Sequence, residues 1–276
     1  DIYVKYFSFT YKYALEGLMI MKKVLFFDVD GTLYNSKKQL PPSAKDAIFQ
    51  AKRNGYEIAI ATGRAPFMIE PILKELEIDT FVTFNGQYVV YKNEVIFTDS
   101  VSKEELTEII EFGSKRNHPV VFIDDKKMIA TAEGNEKIEQ SLRSLRYPYP
   151  KINPHYYKDN PVYQTLIFME EEEEPVYHQT FSNVKFVRWH PYSCDILPKD
   201  GSKARGIQKV LEKMNVPIEN AFAFGDGLND IEMLQAVGVG VAMGNAKEQV
   251  KAVADVVGDH VDDDGLAKVM KKLEII

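Results

Sequence analysis

The chain has 276 residues, of which 45% are hydrophobic and 27% are charged, and its formal net charge is −7. This composition is ordinary for a globular protein, and the negative charge disfavours nucleic-acid binding as its main purpose. The sequence contains no run of about 18 or more apolar residues that could span a membrane. The single cysteine, Cys194, excludes an intramolecular disulfide, suits a reducing cytoplasmic setting, and is expected to pack as a small core residue.

The first 20 residues differ in character from the rest of the chain. Six of the first 13 are Tyr or Phe, and no apolar segment ends in a small-residue cleavage site, so they make a poor signal peptide. We expect residues 1–20 to be a non-native or disordered extension, with the regular pattern starting at Met21.

From Met21 onward, short apolar runs alternate with helical periodicity. Strands are predicted at 22–27, 56–62 and 80–84, and helices at 42–54 and 66–76. Strands that alternate with helices form right-handed βαβ units on a parallel sheet, and nearly continuous apolar runs suit strands buried on both faces. We therefore predict an α/β fold with a parallel sheet.

The pattern changes near Asn85 and returns near Cys194. Between them we predict a hairpin at 87–98, helices at 102–117 and 135–145, an antiparallel pair at 119–131, and strands at 162–169 and 184–189. The acidic run at 170–175 is interpreted as a solvated loop or helix start, because metal-binding carboxylates must converge on one point. Afterwards we predict strands at 194–198, 220–226 and 238–244, and helices at 202–214 and 228–236. The pattern indicates an α+β block at 86–192, inserted into a core formed by residues 21–85 and 193–276.

Four short stretches stand directly after predicted strands. They are DVDGT (28–32), ATGR (61–64), GSK (201–203) and GDGLND (225–230). The carboxyl ends of parallel strands share one edge of the sheet, where ligands bind. We expect the four stretches to meet at that edge.

The acidic stretches can form a cation site. Asp28 and Asp30 would point to opposite faces of a regular strand, but Gly31 permits a turn that brings both to one pocket. Asp226 and Asp230 add two carboxylates, and hard oxygen ligands with room for water and substrate are what Mg²⁺ prefers. In such a site one acid can act as a nucleophile and its neighbour as a general acid and base.

The other two stretches can hold an anion. Thr62 and Gly63 offer a hydroxyl and backbone N–H groups, and Lys203 offers a positive charge at a helix start. Together they suit a phosphoryl group. Each stretch alone is weak, because it can equally be a turn, a helix cap or a solvated Arg64 or Lys203; the conjunction is far more specific.

These motifs resemble those of the haloacid dehalogenase-like superfamily, in particular its Cof-type phosphatases with an inserted α+β cap. The resemblance covers residues 21–276 and is carried by FFDVDGTL, ATGR, the Asn85-Gly86 pair, LPKDGSKARGI and FGDGLNDIEML. It implies a doubly wound, mainly parallel, Rossmann-like α/β core with a cap domain. It also implies a phosphoric monoester hydrolase.

The resemblance assigns roles to individual residues. Asp28 would be the nucleophile that forms an aspartyl-phosphate, and Asp30 the general acid and base. Magnesium would be held by Asp28, the main-chain carbonyl of Asp30 and Asp226, with Asp230 supporting it indirectly. The phosphoryl group would be held by Thr62, Gly63, Lys203 and Asn229.

Several alternatives remain open. A phosphotransferase or phosphomutase would use the same intermediate, whereas a non-catalytic magnesium- or phosphate-binding protein would need no second acid such as Asp30. The late glycines of GVGVAMG lack the position and spacing of a dinucleotide loop. We expect a small phosphorylated metabolite as substrate (a sugar phosphate, nucleotide or cofactor phosphate), no nucleic-acid or membrane partner, and a monomer or weak homo-oligomer. Most cap aromatic residues are expected to serve packing: Tyr147, Tyr149, Tyr156, Tyr157 and Trp189.

Overall fold

The computed structural model describes residues 22–276, so the expectation for residues 1–20 lies outside the described residues. From residue 22 to Thr98 the described chain forms five strands and two α-helices. Its strands are β1 (Val24–Phe27), β2 (Glu57–Ala61), β3 (Phe81–Thr83), β4 (Tyr88–Tyr91) and β5 (Glu94–Thr98). Its helices are α1 (Pro42–Arg53) and α2 (Pro66–Leu76).

The middle part alternates less regularly. Its strands are β6 (Val120–Ile123), β7 (Met128–Ala130), β8 (Lys151–Ile152), β9 (Gln164–Phe168), β10 (Val184–His190) and β11 (Ser193–Pro198). Its helices are α3 (Lys103–Ser114), α4 (Glu136–Ser144), α5 (Tyr156–Asp159) and α6 (Pro175–Thr180).

The last part resumes the βα alternation. Its helices are α7 (Lys203–Met214), α8 (Ile231–Ala236), α9 (Glu248–Lys251) and α10 (Gly265–Lys272). Its strands are β12 (Ala221–Gly225), β13 (Val239–Ala242) and β14 (Val256–Val257). Within residues 22–276, none of these helices combines the length and the apolar character that crossing a membrane requires.

The strands form two separate sheets. The first has eight strands in the order β14-β13-β12-β1-β2-β3-β4-β5, parallel from β14 to β3 and antiparallel at β4 and β5. The second has six strands in the order β10-β11-β9-β6-β7-β8, antiparallel except between β7 and β8. The fold is therefore the expected mainly parallel α/β core with an α+β cap.

Both faces of the first sheet are covered by helices, which explains the apolar run of β1. Leu25 and Phe27 pack on the face covered by α1, α2 and α10, whereas Val24 and Phe26 pack on the face covered by α7 and α8. Successive side chains of a strand point to opposite faces, so a strand buried on both must be apolar throughout. Such burial places the polar residues that follow the strands at the edge of the sheet.

The strand pairing differs from the sequence-based division at both boundaries. The hairpin β4–β5, expected within the inserted block at 86–192, instead extends the first sheet through β3. Strand β11, expected in the core segment 193–276, instead pairs with β10 and β9 of the cap sheet. Local patterns predict a strand but not its partner, so both assignments failed for the same reason. The chain changes sheets after Thr98 and again after Pro198.

Helix α7 lies unusually close to the turn that follows β3. Phe84, Asn85 and Gly86 all have positive φ, at 52°, 53° and 98°. A Cβ on Gly206 of α7 would lie 2.3 Å from Val82 Cγ1 and 3.0 Å from Gly86 Cα. The missing side chain at Gly206 lets α7 approach and sets the position of Lys203 at its start.

We expect Gly206→Ala to lower the free energy of unfolding by about 1–2 kcal/mol. Alanine gains about 1 kcal/mol of helix propensity over glycine, but overpacking costs about 1–3 kcal/mol. We expect a cost near the upper end, because the added Cβ would also press on the backbone of Gly86. Urea denaturation of the variant and the parent protein measures the difference.

The matched control for this prediction is Gln208→Ala, an exposed position on the same helix. An exposed substitution of this kind should change the free energy of unfolding by less than about 0.5 kcal/mol. Equal stabilities for Gly206→Ala and Gln208→Ala would contradict the close approach.

Candidate active site

Loops from three neighbouring strands meet at the carboxyl edge of the first sheet. Asp28 follows β1, Thr62 follows β2 and Asp226 follows β12, and all three line one cavity. Lys203, the first residue of α7, reaches the same place although it lies 175 positions from Asp28. The four stretches singled out in the sequence therefore come together here.

A buried lysine joins two of the carboxylates. Lys203 Nζ lies 2.6 Å from Asp28 Oδ1 and 2.6 Å from Asp230 Oδ1, and its side chain is fully buried. Burial disfavours the charged form of Lys203. The nearby carboxylates of Asp230 and Asp28 favour it more strongly, so the pKa of Lys203 is raised above its usual value. Burial, reinforced by Asp230 and Asp226 and only partly offset by Lys203, raises the pKa of Asp28 to about 8. The pocket thus holds more negative charge than its lysine balances.

The loop after β12 positions two acids differently. Asp230 Oδ2 accepts hydrogen bonds from the backbone N–H groups of Asp226 (2.9 Å) and Gly227 (2.8 Å), so this carboxylate orders the loop. Asp226 instead accepts from Asn245 Nδ2 at 3.0 Å and from the Thr32 hydroxyl at 3.4 Å. Burial and the nearby Asp230 raise the pKa of Asp226 to about 6.

The donor set at this edge fits a hard divalent cation. Carboxylate oxygens of Asp28, Asp226 and Asp230 lie within 4.8 Å of one another. Gly31, with φ of +79°, lets the two loops meet, because a Cβ there would lie 2.2 Å from Asp226 Oδ2. Converging oxygens with excess negative charge are suited to Mg²⁺. The residues present therefore fit the magnesium ion that the motifs imply.

Asp30 lies apart from this acidic cluster. Arg64 donates hydrogen bonds to the Asp30 carboxylate from both Nε (2.6 Å) and Nη2 (2.7 Å), and Lys38 Nζ donates to the same carboxylate at 2.6 Å. Burial opposes ionisation here, but the hydrogen bonds and charges of Arg64 and Lys38 dominate and lower the pKa of Asp30. Two acids separated by one residue therefore have opposite electrostatic environments.

The residues expected to hold a phosphoryl group are split between the cavity wall and the interior. Thr62, Gly63 and Asn229 line the cavity. Thr62 Oγ1 accepts the backbone N–H of Arg64 at 3.2 Å, so its hydroxyl can still donate a hydrogen. Lys203 differs, since its ammonium is buried against the two acids rather than exposed on the wall.

A cavity of about 290 Å³ connects this edge to the cap. Asp28, Asp30, Thr62 and Asn229 line it on one side, and residues of β6, β7, β9, β10 and β11 line it on the other. Of the five cap aromatics expected to serve packing, Tyr156 and Tyr157 lie in the cap core, while Tyr147 and Trp189 line the cavity. The cap is thus placed to contact whatever group a bound phosphate carries.

Sequence reasoning missed four residues that shape the site. Arg64 was left open as a surface residue, and Asn245, which bonds Asp226, stands in no motif that we singled out. Asn85 was noted only as part of a motif, yet its side chain bonds both Asn229 and Asp195. Asp195 carried a usable signal, because a lone acid inside the apolar strand CDILP is costly to bury without a purpose.

Comparison with known proteins agrees with this geometry. Residues 25–270 match the family model described as haloacid dehalogenase-like hydrolase. The chain is 40% identical to YkrA of Bacillus subtilis, provisionally described as a phosphatase, covering 92% of this chain and 98% of YkrA. It is 31% identical to the pyridoxal phosphate phosphatase YbhA of Escherichia coli, covering 87% of this chain and 95% of YbhA.

A solved structure supports the same conclusion. The subclass IIB sugar phosphatase BT4131 superposes with a TM-score of 0.83 at 34% identity, covering 92% of this chain and all of that one. Fold, sequence and site agree, and the chain belongs to the haloacid dehalogenase-like hydrolase family as a Cof-type phosphatase.

Proposed function

We propose that this phosphatase hydrolyses a small phosphomonoester with the help of Mg²⁺, through an aspartyl-phosphate on Asp28. The proposal rests on the position of Asp28 and on the charged groups around it. Its carboxylate lines the cavity at the end of β1, with Oδ1 held by Lys203 and the Asp226 carboxylate close by. A carboxylate fixed on one oxygen can present the other to phosphorus.

The first half of the reaction uses Asp28 as the nucleophile. One Asp28 oxygen forms a bond to phosphorus as the bond from phosphorus to the ester oxygen breaks, and the leaving oxygen gains a proton from Asp30. Lys203 fixes the attacking group through a hydrogen bond of 2.6 Å, and its charge partly offsets the burial that favours the protonated form of Asp28. Thr62, Gly63 and Asn229 line the cavity where the phosphoryl oxygens would lie.

The second half releases phosphate. Asp30 takes a proton from water, which attacks phosphorus and frees the Asp28 carboxylate. The contacts with Arg64 and Lys38 favour ionised Asp30, which suits this step. Donating a proton in the first half requires Arg64 and Lys38 to withdraw from Asp30.

Asp28, Asp226 and the main-chain carbonyl of Asp30 would hold the magnesium ion, with Asp230 acting through the loop that it orders. When bound, the ion neutralises the acids and stabilises charge on the transferring phosphoryl group. The excess negative charge around Asp28 supports this assignment, because a buried carboxylate cluster needs a compensating cation.

The relatives suggest two substrate classes for this site. YbhA is described as acting on pyridoxal phosphate and BT4131 as a sugar phosphatase, so a cofactor phosphate and a sugar phosphate are both candidates.

We expect Asp28→Asn to lower kcat by at least about a thousandfold, because an amide cannot act as the nucleophile. Release of inorganic phosphate from an aryl phosphate measures the loss. Asp46→Asn, an exposed acid on α1, is the matched control and should leave kcat unchanged. A near wild-type rate for Asp28→Asn, after contaminating phosphatases are excluded, would remove Asp28 as the nucleophile.

With an aryl phosphate, whose leaving group needs little protonation, we expect Asp30→Asn to slow kcat by about a hundredfold or more and to accumulate phosphoenzyme, because water attack then lacks its base. Intact-protein mass spectrometry after rapid acid quenching should show one added phosphoryl group. The added group should disappear when Asp28→Asn is combined with Asp30→Asn. Phosphate attached to another residue would contradict the proposed intermediate.

We expect a chelator to abolish activity and added Mg²⁺ to restore it. Asp226→Asn should raise the Mg²⁺ concentration for half-maximal activity by about tenfold or more, because one charged oxygen ligand is lost. Asp263→Asn, at an exposed position in the short 3₁₀ helix before α10, is the control and should leave this concentration unchanged. Full activity in the presence of chelator would contradict the proposed metal dependence.

A further inference from the structure

The cap side of the cavity differs in chemistry from the sheet-edge side. Most of its wall is apolar, and the side chains concerned are Ile123, Met128, Leu145, Tyr147, Leu166 and Trp189. Gln164 and Asp195 complete the wall, and no cap Lys or Arg among the described residues lines it. A second phosphate or carboxylate on the leaving group would find no cation on this wall, and Arg64, on the sheet-edge side of the cavity, is paired with Asp30. A polyol would find few partners for its hydroxyls.

Asp195 is an unusual member of this wall. It lies on β11 with only 8% of its surface exposed, and no Lys, Arg or His in residues 22–276 forms an ion pair with it. Asn85 Nδ2 donates to Asp195 Oδ2 at 3.3 Å. Burial raises the pKa of Asp195 to about 7, although the side-chain donors of Gln164, Trp189 and Asn85 oppose this. These neighbours are neutral donors and none is a cation, so the buried carboxyl is only partly compensated and a further donor from a ligand would stabilise it.

The indole N–H of Trp189 is a second polar group of this wall. Its Nε1 is buried without a partner in hydrogen-bonding geometry, although Asp195 lies near it. Trp189 and Tyr147 also give the wall two aromatic rings that can cover a flat ligand. The cap wall therefore offers two aromatic rings for packing, and its polar groups are clustered around Asp195.

The cavity is small for a ligand pocket. Its volume is about 290 Å³, and it is partly open to solvent. Pockets for drug-sized ligands run from about 300 to 1,000 Å³, so this one suits a leaving group with a single ring.

We propose that the substrate is a phosphomonoester whose leaving group is one ring, with an N–H or O–H donor and no second phosphate or carboxylate. Asp195 accepts that donor and is a specificity-determining residue. This inference rests on the proposed phosphatase function of the same cavity. The competing explanation is that Asp195 only supports the turn at Asn85, in which case all substrates would depend on it equally.

The first test compares four esters with the wild-type enzyme. Pyridoxine 5′-phosphate has a ring with donors, benzyl phosphate has a ring without them, glucose 6-phosphate is a polyol, and fructose 1,6-bisphosphate carries a second anion. We expect kcat/KM for pyridoxine 5′-phosphate to exceed each of the others by at least about tenfold. A preference for the polyol or the bisphosphate would overturn the proposal.

The second test measures how Asp195→Asn changes the ratio of kcat/KM for pyridoxine 5′-phosphate to that for benzyl phosphate. The amide oxygen would stay with Asn85, leaving the amide nitrogen, which cannot accept, towards the ligand. We expect the ratio to fall at least about tenfold, and Asp195→Ala to reproduce the fall. Asp159→Asn, an exposed acid of the cap, should keep the wild-type ratio. An unchanged ratio in the Asp195 variants would show a purely structural role.

A third measurement separates this inference from the proposed chemistry. Trp189 is the only tryptophan, so its fluorescence reports on the cavity without turnover. In an Asp28→Asn background, we expect pyridoxine 5′-phosphate to quench this fluorescence, and Asp195→Asn to raise its Kd at least about tenfold relative to benzyl phosphate. Binding of this kind without hydrolysis by the wild type would support the inference and contradict the proposed function. Hydrolysis of the esters without discrimination would contradict the inference alone.

Discussion

The contact on which the rest of the structure depends is the buried Lys203 ammonium between Asp28 and Asp230. It joins the end of β1, the start of α7 and the loop after β12, across 175 and 27 positions of sequence. A buried ion is tolerated only when its partners are in place, and removing one partner of such a pair typically costs about 3–5 kcal/mol. Three elements must therefore reach one point. Gly206 makes this possible for α7, because a side chain there would collide with Val82.

The same constraint explains how two acids separated by one residue acquire different chemistry. Asp28 shares a buried lysine with Asp230 and lies near Asp226, so burial and like charges raise its pKa. The turn at Gly31 directs Asp30 elsewhere, to Arg64 and Lys38, and its pKa is lowered. Asp28, whose surroundings hold an excess of negative charge, and Asp30, which contacts two cationic side chains, are thus separated by one turn of the backbone. The roles proposed for Asp28 as nucleophile and Asp30 as proton carrier rest on this difference in environment.

Much of this arrangement could be predicted from the sequence, and what could not has a common cause. The apolar run of β1, the βα alternation and the polar residues after each strand predicted the core, because they depend on local periodicity. The partners of β4–β5 and β11 were assigned to the wrong sheets, because pairing is decided by packing between distant segments. For the same reason Asn245 was missed, since its bond to Asp226 exists only in the folded chain. Arg64 lay within a quoted motif, yet nothing local shows that it grips Asp30.

The misassigned strand also links the two halves of the cavity. Strand β11 carries Asp195 in the cap wall, and a tight turn, closed by a 2.8 Å hydrogen bond from Gly201 N–H to the Pro198 carbonyl, leads from it to Lys203. A second link runs from Asp195 through Asn85 to Asn229, with hydrogen bonds of 3.3 and 2.9 Å. Asn85 sits in a turn with positive φ, which is costly and persists only where its surroundings fix it. A ligand that bonds Asp195, as proposed, would therefore contact a short segment that also positions Lys203, so the proposed recognition of the leaving group and the setting of Asp28 depend on one continuous stretch of chain.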